Sequence, residues 1–265
     1  MLVVMALGGS SLLRVGEPKR ADAQRWDLPV AARALAAVAR EHTVLVTHGN
    51  DTQGRLLERA LVSELPGRKV ASLVIEVIAR MVPVGPRYAD TIDGRRFAAE
   101  FGWVVAQEGT AFRQCVPSPG PQRIAQVAAI DALIDAGVIV ICVCGRIALD
   151  AAELGPMESE AIVDADLAAA LLAERIRADL LMLLTDVERV EVDWRTGEAL
   201  PLRGTTTVEA LRRISYRPGL VGPKVQAACR FVESTGKRAA IGTLADAPEI
   251  VIGNRGVQVV APAVP

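Results

Sequence analysis

The sequence predicts an α/β protein whose mainly parallel sheet is covered by helices, and three observations carry that expectation. Apolar runs of strand length recur along the chain, and most have the continuous character of strands buried on both faces. Stretches with apolar residues at helical spacing lie between them. The two kinds alternate, as parallel strands joined by crossover helices require.

Taken in order, Leu2 to Leu7 is the first run, and it leads directly into Gly8-Gly9. It is short and has no basic leader, so it reads as a buried strand rather than a targeting segment. Val30 to Arg40 has helical period, and Thr43 to Thr47 is the next strand. Val70 to Ile78 follows as a strand, Ile124 to Ala136 as a helix and Val138 to Val143 as a strand. Ala165 to Ala178 reads as a helix, Leu180 to Leu184 as a strand, and Lys224 to Ser234 as a helix. Arg238 to Ile241 and Val257 to Val260 complete the strands. Arg80 to Pro119 has several prolines and glycines with weaker periodicity, which predicts an excursion or small subdomain outside the central sheet.

With 265 residues, 51% of them hydrophobic, the chain can bury a large core as one α/β domain or as two lobes sharing a sheet. Lys plus Arg (30) and Asp plus Glu (31) nearly cancel, so the basic field of a nucleic-acid binder or a membrane-surface protein is missing. No apolar run is long enough to span a bilayer. Cys115, Cys142, Cys144 and Cys229 are too scattered for a disulfide framework or a paired-cysteine zinc site, which fits a cytoplasmic protein. Cys142 and Cys144 share one face of a strand and read as small buried hydrophobes rather than metal ligands.

Ligands of parallel sheets gather at the carboxyl ends of the strands. The segments there are Gly8-Gly9-Ser10-Ser11, His48-Gly49-Asn50-Asp51 and Thr185-Asp186. Paired glycines let a backbone approach an anion closely, although such a pair also makes an ordinary tight turn. Gly49 and Asn50 can position a planar carboxylate-like substrate, or satisfy loop backbone groups. Asp164 and Asp166 stand at the start of a helix, where either a capping or a catalytic role fits. Lys224 follows Gly222-Pro223 at another helix start, where its ammonium can offset charge on a transferred phosphoryl group.

In this order the segments resemble carbamate kinase, of the amino acid kinase superfamily. The resemblance rests on Ala6-Leu7-Gly8-Gly9, Thr47-His48-Gly49-Asn50, Val116-Pro117-Ser118-Pro119, Glu160-Ala161-Ile162-Val163-Asp164, Leu184-Thr185-Asp186-Val187 and Gly222-Pro223-Lys224-Val225. It implies a three-layer α/β/α sandwich, with residues 1–155 as the carbamate lobe and 156–265 as the nucleotide lobe. It also implies a homodimer that uses ATP or ADP with Mg²⁺ and a small-molecule substrate. Carried over by position, Gly9, Asp164, Asp166 and Lys224 would serve catalysis. Gly8, Ser10, Gly49 and Asn50 would hold the substrate, and Thr185, Asp186, Gly222 and Lys224 the nucleotide. No residue is assigned as a metal ligand.

Departures from the family pattern fall on the chemistry. Ala165 stands where the family's Val-Ile-Asp-Lys-Asp run has lysine, and Val82 stands where its Pro-Thr-Lys-Pro stretch has another. Val143-Cys144-Gly145-Arg146 replaces a four-glycine run, Ser10 an asparagine, Asp51-Thr52 a Gly-Pro and Val221 a methionine. The chain is also shorter than the family between Gln53 and Tyr88. Phosphoryl transfer depends on positioned positive charge, so these losses open a second reading. It is a non-catalytic relative that binds a nucleotide or acyl phosphate. A third is an enzyme with a different small-acid substrate. Arg113 and Arg146 are the candidates to replace the missing charge.

Overall fold

Strands whose successive residues are all apolar need cover on both faces, and the chain meets that need by dividing each strand's residues between two helical layers. The structure is a computed structural model that describes residues 1–8, 21–49, 51–84, 87–88, 104–108, 111–149, 164–185, 190–192, 200–202, 204–214 and 222–262. The strands are β1 (Leu2–Leu7), β2 (Thr43–His48), β3 (Val70–Val84), β4 (Arg87–Tyr88), β5 (Val104–Glu108), β6 (Ala111–Ile124) and β7 (Ile139–Leu149). They continue as β8 (Leu180–Thr185), β9 (Val190–Val192), β10 (Leu200–Leu202), β11 (Gly204–Thr207), β12 (Arg238–Thr243) and β13 (Val257–Val260). The helices are α1 (Ala21–Glu41), α2 (Asp51–Glu64), α3 (Val127–Asp135), α4 (Ala165–Arg175), α5 (Val208–Arg212), α6 (Gly222–Thr235) and α7 (Ala247–Val251).

Among the described residues the main sheet has the order β11-β13-β12-β8-β1-β2-β7-β3-β6-β4, with β5 also paired to β6, and β9 and β10 form a separate hairpin. From β12 through β8, β1, β2 and β7 to β3 every pairing is parallel. Val3, Met5 and Leu7 of β1 pack with α1, α2 and α7, while Val4 and Ala6 pack with α4 and α6 on the other face. The same alternation runs through β2, β7, β8 and β12, so the fold is the expected three-layer α/β/α sandwich.

The predicted strands all form, and two strands and one helix run well beyond their predicted limits. β3 continues to Val84 and β7 to Leu149, and α1 begins well before Val30. Pro29 lies inside α1, although a proline there removes a helical N–H and reads in sequence as a helix start. The reading of Arg80 to Pro119 as lying outside the central sheet needs correction. β3 and β6 form an antiparallel ladder through Val84 and Val116, which joins the described parts of this segment to the sheet. The ladder tolerates Pro117, Pro119 and Pro121 because they alternate. Pro117 faces Pro83, a pair that can exchange no N–H···O bond, so all three missing donors fall on the side of β6 away from β3.

Helix ends are set locally. After α3, Gly137 at φ 72° returns its N–H to the Ile134 carbonyl while the Val138 N–H reaches Leu133, which closes the last turn. After α4 the same closure is made by Arg177 at φ 58°, the left-handed conformation that glycine adopts without strain.

Candidate functional site

The chain leaves β1 toward β2 on one side and leaves β8 toward β12 on the other, although β1 and β8 are neighbours. Such a divergence opens a crevice at the carboxyl ends of the strands, with helices entering from opposite layers. Gly8 lies there, and its N–H donates to the Leu184 carbonyl at 3.3 Å, tying the two strand ends together.

Lys224 reaches this point from the first turn of α6, and its side chain is almost completely buried. A Cβ on Gly8 would sit 3.0 Å from Lys224 Nζ, tighter than ordinary contact, so glycine lets the ammonium settle against the end of β1 without being displaced. The ammonium donates to both carboxylate oxygens of Asp166, at 2.9 Å and 3.0 Å. Asp166 is 13% exposed, and a buried charge of this kind persists only when paired and hydrogen-bonded. Burial raises the Asp166 carboxyl above its ordinary pKa. Lys224 acts the other way and Asp164 adds to the rise.

The two aspartates have different roles. Asp164 is the N-cap of α4, and its Oδ1 accepts from the N–H groups of Asp166 at 2.9 Å and Leu167 at 3.0 Å. Between them, Ala165 turns its methyl toward Gly49, where a Cβ would lie 3.9 Å away. At the position of the family's lysine, therefore, two small residues face each other and no ammonium enters the crevice from α4. Thr185 ends β8 in the same region and is buried.

The structure thus gathers Gly8, Asp166 and Lys224 in direct proximity, with Asp164, Gly49 and Thr185 on the adjoining strand and helix ends. Gly222 opens α6 two residues before Lys224. Gly9, Ser10, Asn50 and Asp186 lie outside the described residues, as does Val221. Asp51, read as part of a loop, begins α2. Arg113, Arg146 and Val82 are placed in β6, β7 and β3 respectively.

Cys144, read both as a small buried hydrophobe and as part of the run that replaces four glycines, lies on β7 within reach of the Asp166 charge. Its thiol is pushed up to about 12, first by burial and then by the Asp166 charge. Burial pushes the Cys142 thiol up as well, and both are free thiols in the sheet. The signal for Cys144 was its place two residues beyond Cys142 on the face that α4 covers.

A sequence profile of the amino acid kinase family matches residues 1–243. The carbamate kinase of Rhizobium meliloti is 37% identical over 300 aligned positions, covering 97% of this chain and 92% of that protein. The carbamate kinase of Haemophilus influenzae is 33% identical, with 98% of this chain and 96% of that protein aligned. Among solved structures, carbamate kinase from Giardia lamblia bound to AMP-PNP superposes with a TM-score of 0.78 at 25% identity, over 98% of each chain. The family profile and these full-length likenesses agree, and the chain belongs to the carbamate kinases of the amino acid kinase family.

Proposed function

We propose that this chain transfers a phosphoryl group between ATP and carbamate, forming and consuming carbamoyl phosphate. The observation that carries this reading is the Lys224 ammonium, buried at the carboxyl ends of β1 and β8 and held by Asp166 against a glycine. An ammonium fixed there offsets charge that grows on a phosphoryl group in transfer, without reorganising at the moment of reaction. Gly9 brings a backbone N–H group to the phosphate beside Gly8, whose own N–H ties β1 to β8, and Asp164 fixes α4 so that Asp166 holds Lys224. Ser10, Gly49 and Asn50 bind the carbamate, while Thr185, Asp186 and Gly222 border the nucleotide.

In this reading residues 1–155 form the substrate lobe and 156–265 the nucleotide lobe of a cytoplasmic homodimer. Among the described residues no group of three or more His, Cys, Asp or Glu side chains fits a metal ion. In this reading Mg²⁺ enters with the nucleotide, where it would offset phosphate charge. No helix of the described chain is long and apolar enough to cross a membrane.

The test is ATP formation from ADP, Mg²⁺ and carbamoyl phosphate. We expect turnover that falls by on the order of a hundredfold or more in Lys224→Ala. Absence of turnover in the parent protein would overturn the proposal.

The small Gly49–Ala165 contact favours a second reading, a relative that binds nucleotide or acyl phosphate without turning it over. It predicts a rise in Tm with ADP and no ATP formation. Under this reading Ala165→Lys restores the missing cation and with it measurable turnover; an Ala165→Lys protein that binds ADP and stays inactive would count against lost charge as the cause.

A further inference from the structure

The Lys224–Asp166 pair has a consequence for binding that the transfer reaction alone does not require. Two of the three ammonium N–H groups are committed to Asp166. The ammonium lies against Gly8 at the end of β1, where a Cβ would sit 3.0 Å from Nζ, so an anion that uses Lys224 there must lie close to the Asp166 carboxylate. That carboxylate is then either robbed of its ammonium or left beside new negative charge, and both changes favour its protonated form.

The titratable groups facing Asp166 among the described residues are Lys224 from α6, Cys144 from β7 and Asp164 from its own helix cap. Cys144 is a neutral thiol at pH 7, and Asp164 already accepts two backbone N–H groups. Neither can supply positive charge. Burial has meanwhile raised the carboxyl toward neutrality before any ligand arrives.

We propose that Asp166 is a proton-accepting site linked to phosphate binding: a nucleotide phosphate seated at Gly8 and Lys224 draws one proton from solvent onto the Asp166 carboxyl. The carboxylate becomes a carboxylic acid, no other bond changes, and the proton returns to solvent when the phosphate leaves. This rests on the nucleotide reading above. Nucleotide affinity then falls with rising pH, by up to about tenfold per pH unit across the window in which uptake occurs.

The test is calorimetric titration with ADP in EDTA, at pH 7, in buffers of differing ionisation enthalpy. We expect the parent protein to take up more protons per ADP than Asp166→Asn, by roughly half a proton or more. Comparing the two removes the contribution of the ADP phosphates themselves. ADP binding with equal proton uptake in both proteins would overturn this proposal and leave the nucleotide reading standing. No ADP binding to the parent would overturn both. Because Asp166→Asn removes a partner of a buried lysine, a second readout uses the parent alone. Its infrared difference spectrum should lose a carboxylate band and gain a carboxylic acid band when ADP is added, and an unchanged carboxyl region would refute the assignment.

Discussion

Replacing Lys224 by methionine keeps the apolar stem and removes the charge, so it tests the buried pair directly. With Nζ 2.9 Å and 3.0 Å from the two carboxylate oxygens, the attraction at an effective dielectric near 20 is of order 5 kcal/mol. Both side chains are nearly inaccessible, so removal of the ammonium leaves a buried carboxylate with no described cation to replace it. A cost of about 3–5 kcal/mol follows. That is a large part of a typical folding free energy of roughly 5–15 kcal/mol.

The pH dependence distinguishes this origin from simple loss of packing. Asp166 titrates above its unfolded value in the parent, and further above it once Lys224 is gone. A raised folded pKa contributes stability that is complete below the unfolded pKa, about 3.9, and is lost as pH rises through the folded value. The penalty of Lys224→Met therefore grows with pH only between the parent's raised value and the variant's still higher one, by up to about 1.4 kcal/mol per unit, and then levels off. Urea unfolding at several pH values measures it. Adding Asp166→Asn to Lys224→Met should recover most of the loss and flatten the pH dependence. A penalty under about 1 kcal/mol at neutral pH, or one independent of pH, would refute the reasoning.

Gly8→Ala places a methyl 3.0 Å from Lys224 Nζ and shifts the ammonium by a few tenths of an ångström; activity should fall by roughly tenfold while the Tm changes little. Arg177→Gly removes the strain of a left-handed arginine at the exposed end of α4 and should stabilise the protein by about 0.5–1 kcal/mol in urea titrations. Asp179 accepts from the Leu2 N–H at 2.9 Å and lies near Lys237, and these contacts, the backbone bond first, lower its pKa. Its contribution is present above the ordinary carboxylate range and lost as pH falls through the lowered value. Asp179→Asn should thus cost about 1 kcal/mol at pH 7 and less in acid, as read by urea unfolding across pH.

The parallel core was legible because most of its strands are nearly continuous apolar runs, which a sheet covered on both faces accepts. Leu2 to Leu7 and Val257 to Val260 were read at their observed limits. The β3–β6 extension was not legible, because its prolines read as breakers. Their tolerance depends on which edge of the ladder they face, and sequence alone does not supply that register. At the site, Lys224 and Asp166 were both visible as residues, but their pairing spans 58 positions. The separation of Asp164 as a cap from Asp166 as a lysine partner follows from helix geometry. A cap turns its side chain back onto the first N–H groups, and the residue two places on is free to face the sheet. The importance of Cys144 depended on which element covered its strand face.

The alternating prolines of β6 also bear on how this protein behaves at high concentration. A sheet this broad ends in a margin that could recruit a strand from another molecule, since unpaired N–H and C=O groups template such pairing. Along Pro117, Pro119 and Pro121 every N–H that β6 would turn to that margin is absent, so an incoming strand finds acceptors there without donors, only half of a ladder. The residues that once looked like interruptions of the fold thereby guard its edge against self-association into fibres.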